Sequence, residues 1–221
     1  MNTEIFYKKP LLVIYVPGYL SGEDKQKEVK DKLAQLYPDS PITIFKWDSV
    51  ASYSMAMHNS IQASSDLVQY LKDLPCGNYI TIIGHSLGAL VVSNAMKHIP
   101  FNSYYGAKQV ILLGAAIPAH TNLQHMCEVT EYPVINVINR NDIILSTLYK
   151  TFNDSPALGS RGLCCKHPHN YVELEILHKI PIYRDTNNLY EMTNQLLDAT
   201  GHSAGRVYLD ALVNKTYRIN T

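Results

Sequence analysis

The stretch from Tyr79 to Met96 constrains this chain more than any other. Tyr79-Ile80-Thr81-Ile82-Ile83 is an apolar, β-branched run of the kind that forms a buried strand. Gly84-His85-Ser86-Leu87-Gly88 follows at once, and Ala89 to Met96 continues with helical character. A serine on such a strand-turn-helix sits in a strained conformation with its hydroxyl presented outward. Only small residues two positions before and after it let strand and helix approach closely enough. Gly84 and Gly88 meet that demand, which makes Ser86 a candidate nucleophile. The helix that starts here points its N-terminal amides at the same spot, so the N–H of Leu87 is a candidate donor to an oxyanion. A Gly-x-Ser-x-Gly match also occurs in ordinary loops; its place between a strand and a helix makes it specific.

The rest of the chain repeats the alternation. Short apolar runs at Leu11 to Val16, Ile42 to Lys46, Val110 to Leu113, Val134 to Ile138 and Tyr171 to Leu177 are predicted strands, separated by amphipathic segments. Helices are predicted over Glu23 to Leu36, from Ser65 to Leu74 with Ser64 or Ser65 as cap, from the Ser86 turn to His98, and over Ala204 to Tyr217. Strands alternating with crossover helices imply an α/β fold with three layers around a mostly parallel sheet of about six strands. The length, 221 residues, suits a single domain spanning 1–221. Only about 20 residues separate Leu113 from Val134, which leaves room for one helix or loop and no large cap domain. Asp48 to Ala63 and Leu145 to Asn170 do not fit the simple alternation, and either can border a site.

Charge narrows the partners. Nineteen Lys and Arg balance nineteen Asp and Glu, so no overall field draws in nucleic acid or an anionic surface. The apolar run at Leu11 to Leu20 follows a polar start, Met1 to Lys9, and is broken by Pro17 and Gly18; it lacks a signal peptide's small-residue cleavage site and a membrane span's length, so neither is expected. Cys76, Cys127, Cys164 and Cys165 in such a chain read as reduced thiols, and a cytoplasmic location is expected, with signal-less export left open. Oligomeric state is not legible.

On these residues the chain resembles the α/β-hydrolase superfamily of serine esterases and lipases. The pieces Lys46-Trp47-Asp48-Ser49, Ile138-Asn139-Arg140-Asn141-Asp142, Gly159-Ser160-Arg161-Gly162 and Gly201-His202-Ser203 are similar to the group of uncharacterised hydrolases that includes the transmembrane and coiled-coil domain proteins. The superfamily order is serine, acid, histidine, with the acid after a later strand and the histidine after the last. That order implies Asp142, just beyond the strand Val134 to Ile138, as the acid, with Asp154 as the alternative. It implies His202, directly before the terminal helix, as the base, with His178 as the alternative. The second oxyanion donor is expected from the loop after the first strand, Val16-Pro17-Gly18-Tyr19-Leu20-Ser21-Gly22, as the N–H of Tyr19. Since only ten residues precede Leu11, the first two strands of larger members are expected to be missing.

Cys164-Cys165-Lys166-His167-Pro168-His169 collects four possible metal ligands, but adjacent cysteines lack the spacing of a zinc knuckle and no second pair follows, so no metal site is assigned. A phosphate-binding glycine loop is absent. The expected chemistry, acyl transfer through a serine, needs no cofactor. The expected substrate is a small-molecule or lipid ester. Thioesters, amides, transfer to another acceptor, or a catalytically silent binding module of the same fold remain as alternatives.

Overall fold

The computed structural model describes residues 5–75, 77, 79–177 and 205–220. His202, His178 and the 179–200 segment therefore lie outside the described residues.

Seven strands form one sheet. β1 (Leu12–Val16), β2 (Ile42–Ile44), β3 (Ile80–His85), β4 (Gln109–Leu113), β5 (Val134–Ile138) and β6 (Tyr171–Ile176) run parallel, and β7 (Tyr217–Asn220) closes the edge antiparallel to β6, in the order β2-β1-β3-β4-β5-β6-β7. β3, β4 and β5 are buried along their whole length, as strands covered on both faces must be. Their side chains alternate between two cores. Ile14, Ile82, Val110 and Leu112 pack beneath α2 (Tyr53–Asp73) and α3 (Leu87–Met96), while Val13, Tyr15, Ile111 and Val137 face α1 (Glu23–Leu36) and α7 (Arg206–Val213). The period of two thus splits a continuous apolar run between two helix layers.

The chain runs from β1 outward to β2 and returns to pair β3 on the other side of β1. Such a reversal opens a crevice at the carboxyl ends of the two strands, where the loops diverge. Ser86 and the loop after β1 stand at that crevice.

Three expectations need correction. The predicted terminal helix stops at Val213 rather than Tyr217, and the chain goes on to add a seventh strand to the six expected. Asn214 and Thr216 donate back to Asp210 and Ala211 O, Lys215 turns with φ +55°, and Tyr217 to Asn220 then pair with β6. Arg218 and Asn220 both donate to Glu175 of β6, at 2.9 and 3.1 Å. The second helix begins at Tyr53, not near Ser65. Its cap is Ser52, whose Oγ accepts from the N–H of Met55 at 3.3 Å. Ser60 and Ser64 instead bond back to Met57 O and Ser60 O inside the helix, so the serine run that resembles a cap is helix interior. The third helix stops at Met96, two residues short of His98.

Between β4 and β5 the chain makes only the short α4 (Gln124–Val129), as the interval predicts. The Leu145 to Asn170 region resolves into a π-helical stretch (Ile144–Tyr149) followed by α5 (Lys150–Asn153) and α6 (Leu158–Arg161). No helix among the described residues is long and apolar enough to cross a membrane.

Candidate active site

Ser86 occupies the junction of β3 and α3 with φ +53° and ψ −122°, a conformation that an L-residue adopts only when its surroundings enforce it. The enforcing contacts are backbone hydrogen bonds. Ser86 N–H donates to Leu113 O at 3.0 Å, and its own carbonyl accepts from Ala89 at 3.0 Å and Ala116 at 3.1 Å. The turn is thereby pinned to β4, to the loop after β4 and to its own helix. Strain of this type costs about 1–3 kcal/mol and persists only where the fold over-determines it.

Close approach explains the two glycines. A methyl group at Gly88 would lie 2.1 Å from Val16 O, and one at Gly84 would lie 2.8 Å from Ala89 Cα. Helix α3 therefore rests directly on the end of β1. Leu87, the first residue of α3, has no intrahelical acceptor for its N–H. Its side chain is buried in an apolar cluster with Ala56, Ala116, Leu145, Tyr149 and Ala157, against which Tyr19, Trp47 and Tyr53 pack.

The loop after β1 presses on the serine. A methyl group at Gly18 would come within 2.7 Å of Ser86 Cβ and 3.0 Å of His85 O, so this loop position is as close to the Ser86 turn as a backbone can come. Tyr19 follows. Its hydroxyl donates to Ala51 O at 2.9 Å, and its ring meets Tyr53 edge-on at 6.0 Å between centroids.

Asp142 is fully buried beyond β5. A turn presents it: Asn141 N–H donates to Asn139 Oδ1 at 3.0 Å, and Asp142 N–H to Asn139 O at 3.1 Å. Its carboxylate caps the π-helical stretch through Leu145 N–H, 2.9 Å from Oδ1. Its other oxygen accepts a 2.5 Å hydrogen bond from the hydroxyl of Tyr208 on α7. Burial, and then the negative charge and hydrogen bond of Asp142, push the Tyr208 phenol well above its usual range, which keeps it a proton donor. Asp154, the alternative acid, is exposed at the end of α5, where it adopts φ +50°.

Tyr208 also reaches β4. A methyl group at Gly114, which has φ +49°, would lie 2.5 Å from the phenol oxygen, so the absent side chain makes room for the ring. The His85 ring lies 6.1 Å from that of Tyr208, tilted by 55°. His85 is thus buried behind Ser86, among packed rings. At the other end of this layer Gly205, the first described residue after the 178–204 segment, lies against the same histidine. A methyl group there would stand 3.3 Å from His85 Cγ and 3.0 Å from the Tyr15 hydroxyl.

The structure brings Ser86, Leu87 and the Gly18-Tyr19 loop together and ties Asp142 to α7. Tyr208 escaped sequence reasoning, as did the aromatic wall of Trp47, Tyr53 and Tyr149. The one available signal for Tyr208 was Gly114 directly after β4, a gap without a visible occupant. Elsewhere, Cys164 and Cys165 are exposed, and His167 packs edge-on against Tyr171 at 5.2 Å.

No curated protein matches the chain. Among solved structures it is similar to a protein described as a cell surface hydrolase from Lactobacillus plantarum WCFS1, with 8% identity, a TM-score of 0.50, and coverage of 96% of this chain and 100% of that one. It is also similar, with a TM-score of 0.41 and 13% identity, to the catalytic core domain of acetyl xylan esterase from Trichoderma reesei, over 95% of this chain and 100% of that one. Together with the parallel sheet, the first of these identifies the α/β-hydrolase fold. The family model described as "Protein of unknown function (DUF726)" matches residues 38–164, more than half of the chain, and the chain belongs to that family.

Proposed function

We propose that this protein is a serine hydrolase that cleaves carboxylic esters through an acyl-enzyme on Ser86. The observation that carries the reading is the strained backbone of Ser86 at the head of α3, locked by Gly84 and Gly88 at the crevice between β1 and β3.

In this reading the Ser86 hydroxyl attacks the acyl carbonyl while His202 takes its proton. The N–H groups of Leu87 and Tyr19 bind the oxyanion, and the alcohol departs with the proton held by His202. Water then attacks the acyl group, gives a proton to His202, and releases the acid as Ser86 is restored. Asp142 holds the imidazole and stabilises its charged form. The close approach of Gly18 to Ser86 supports the Tyr19 assignment, since Tyr19 is the next residue in the chain. The mechanism uses no cofactor.

Chain connectivity supports His202 over His178. Tyr208 bonds Asp142 and Gly205 packs on His85, so α7 enters between the acid and the nucleophile turn. Two residues, Ser203 and Ala204, separate His202 from Gly205, and the three steps between them reach at most about 11 Å. His178 follows Leu177 in the chain, and Leu177 stands at the end of β6, three strands and roughly 14 Å from β3.

The test is hydrolysis of p-nitrophenyl acetate by single variants. Ser86→Ala and His202→Ala are expected to abolish turnover, and His178→Ala to retain it. Loss in His178→Ala with retention in His202→Ala would move the base, and full activity of Ser86→Ala would overturn the reading.

A further inference from the structure

We infer that the rim of this site is a docking surface for uncharged lipid, so that the esters it cleaves are drawn from a lipid–water interface; the inference rests on the hydrolase reading above.

The rim consists of the loops at the carboxyl ends of the parallel strands, the same end of the sheet as Ser86. Leu20 follows β1, Val50 follows β2, Met55 lies in the first turn of α2, and Ile143 and Phe152 follow β5. Their exposures run from 47% to 68%. The loops that carry them are joined. Leu20 N–H donates to Ser49 O at 3.4 Å, joining the first two loops, and the Tyr19 hydroxyl reaches Ala51. Tyr53 bridges onward, edge-on to Tyr19 and 5.0 Å from the Phe152 ring. Phe152 thus packs on an aromatic wall, Leu20 and Val50 stand on the two joined loops beside it and Met55 in the helical turn that carries Tyr53, and the wall runs down to Leu87, the neighbour of the proposed nucleophile. Contiguous exposed apolar surface marks an interaction site, whereas single exposed residues do not.

Charge identifies the partner. Residues 17–22, 49–65 and 143–149 contain no Lys, Arg, Asp or Glu, although at the chain's 17% charged content these 30 positions would hold about five. A surface that attracts anionic lipid carries clustered Lys and Arg. These segments offer apolar side chains, hydroxyls, the neutral amides of Asn59 and Gln62, and His58, and the charges that flank Phe152, Lys150 and Asp154, are one of each sign, which matches a zwitterionic or uncharged headgroup layer. A protein seated here would shut Ser86 off from its acyl substrate, whereas a lipid surface would deliver one.

The experiment is flotation with phosphatidylcholine vesicles, using Ser86→Ala protein so that binding is read without turnover. Ser86→Ala is expected to float with the vesicles, undiminished in about 1 M salt, where the Debye length falls to roughly 3 Å. Adding Val50→Ser, Met55→Ser and Phe152→Ser should cut binding at least tenfold. The same three substitutions in otherwise native protein should leave hydrolysis of dissolved p-nitrophenyl acetate unchanged, which shows that the variant folds. Binding unaltered by the triple substitution, no binding by Ser86→Ala, or binding that needs anionic lipid and vanishes in salt would each overturn the inference. So would a dimer in sedimentation that the triple substitution dissociates, since a second copy would then be the occupant. Vesicle binding without hydrolysis of the dissolved ester would uphold the surface and refute the hydrolase reading; hydrolysis without binding would do the reverse.

Discussion

The hydroxyl of Tyr208 on the terminal helix donates a 2.5 Å hydrogen bond to Oδ2 of Asp142, joining two buried side chains 66 positions apart in sequence. This bond fixes the carboxylate from the side opposite Leu145 N–H, and it links α7, which follows His202, to the turn after β5. In the hydrolase reading it also drains charge from the carboxylate that supports the imidazolium.

Tyr208→Phe tests that role. Removing the donor leaves more negative charge for the base, so the acid limb of the kcat/KM profile for p-nitrophenyl acetate should move to higher pH as kcat falls. A hydrogen bond to a charged group is worth about 1.5–3 kcal/mol, and thermal unfolding should report a loss of that order. A loss of stability with an unmoved pH profile would make Tyr208 a structural residue only.

Stability should fall steeply at alkaline pH. Burial raises the phenol pKa of Tyr15, Tyr37, Tyr149, Tyr171 and Tyr208 above the ordinary value. These side chains stay neutral in the folded protein while their unfolded counterparts ionise near pH 10. Their contribution is therefore intact below about pH 10 and is lost as pH rises beyond it, by up to about 1.4 kcal/mol per pH unit for each group. Denaturant titrations at pH 8, 10 and 11 should show a flat first interval and a steep second one, shallower in Tyr208→Phe.

Gly88→Ala should cost more than about 3 kcal/mol, because the added carbon would meet the carbonyl oxygens of Val16 and Pro17 at 2.1 and 2.5 Å, and backbone cannot step aside as a side chain can. Gly22→Ala is the control: nothing lies within 4 Å of its new methyl group, and a change below about 1 kcal/mol is expected. Urea midpoints of the two variants decide the matter.

What the sequence disclosed and what it withheld follow from how local each feature is. The Ser86 turn was legible because strand, glycines and helix are consecutive, and β1 to β6 because each is an apolar run bounded by turn residues. Chain order singled out Asp142 once the fold class was in hand, and the structure buries it beyond β5. The start of α2 was not, since a serine can cap a helix or bond back into one, and only the packing of Ala56, Ser60 and Ala63 on the core decides between them. β7 was hidden because Tyr217 to Asn220 are strand only by pairing with β6. Tyr208 reads as one more apolar residue of an amphipathic helix until the fold brings Asp142 to it.

Replacing the acid should show that the site acts as a unit. Asp142→Asn is expected to lower kcat by on the order of 10³–10⁴ while Asp154→Asn leaves it within about twofold, measured at saturating p-nitrophenyl acetate. Equal effects of the two would remove Asp142 from its role.

The most direct measurement is covalent labelling of the native protein with a fluorophosphonate, read by intact mass and peptide mapping. The hydrolase reading predicts a single adduct on Ser86, absent from Ser86→Ala and slowed in Asp142→Asn. Undiminished labelling of Ser86→Ala, or no labelling of the native protein, would contradict it.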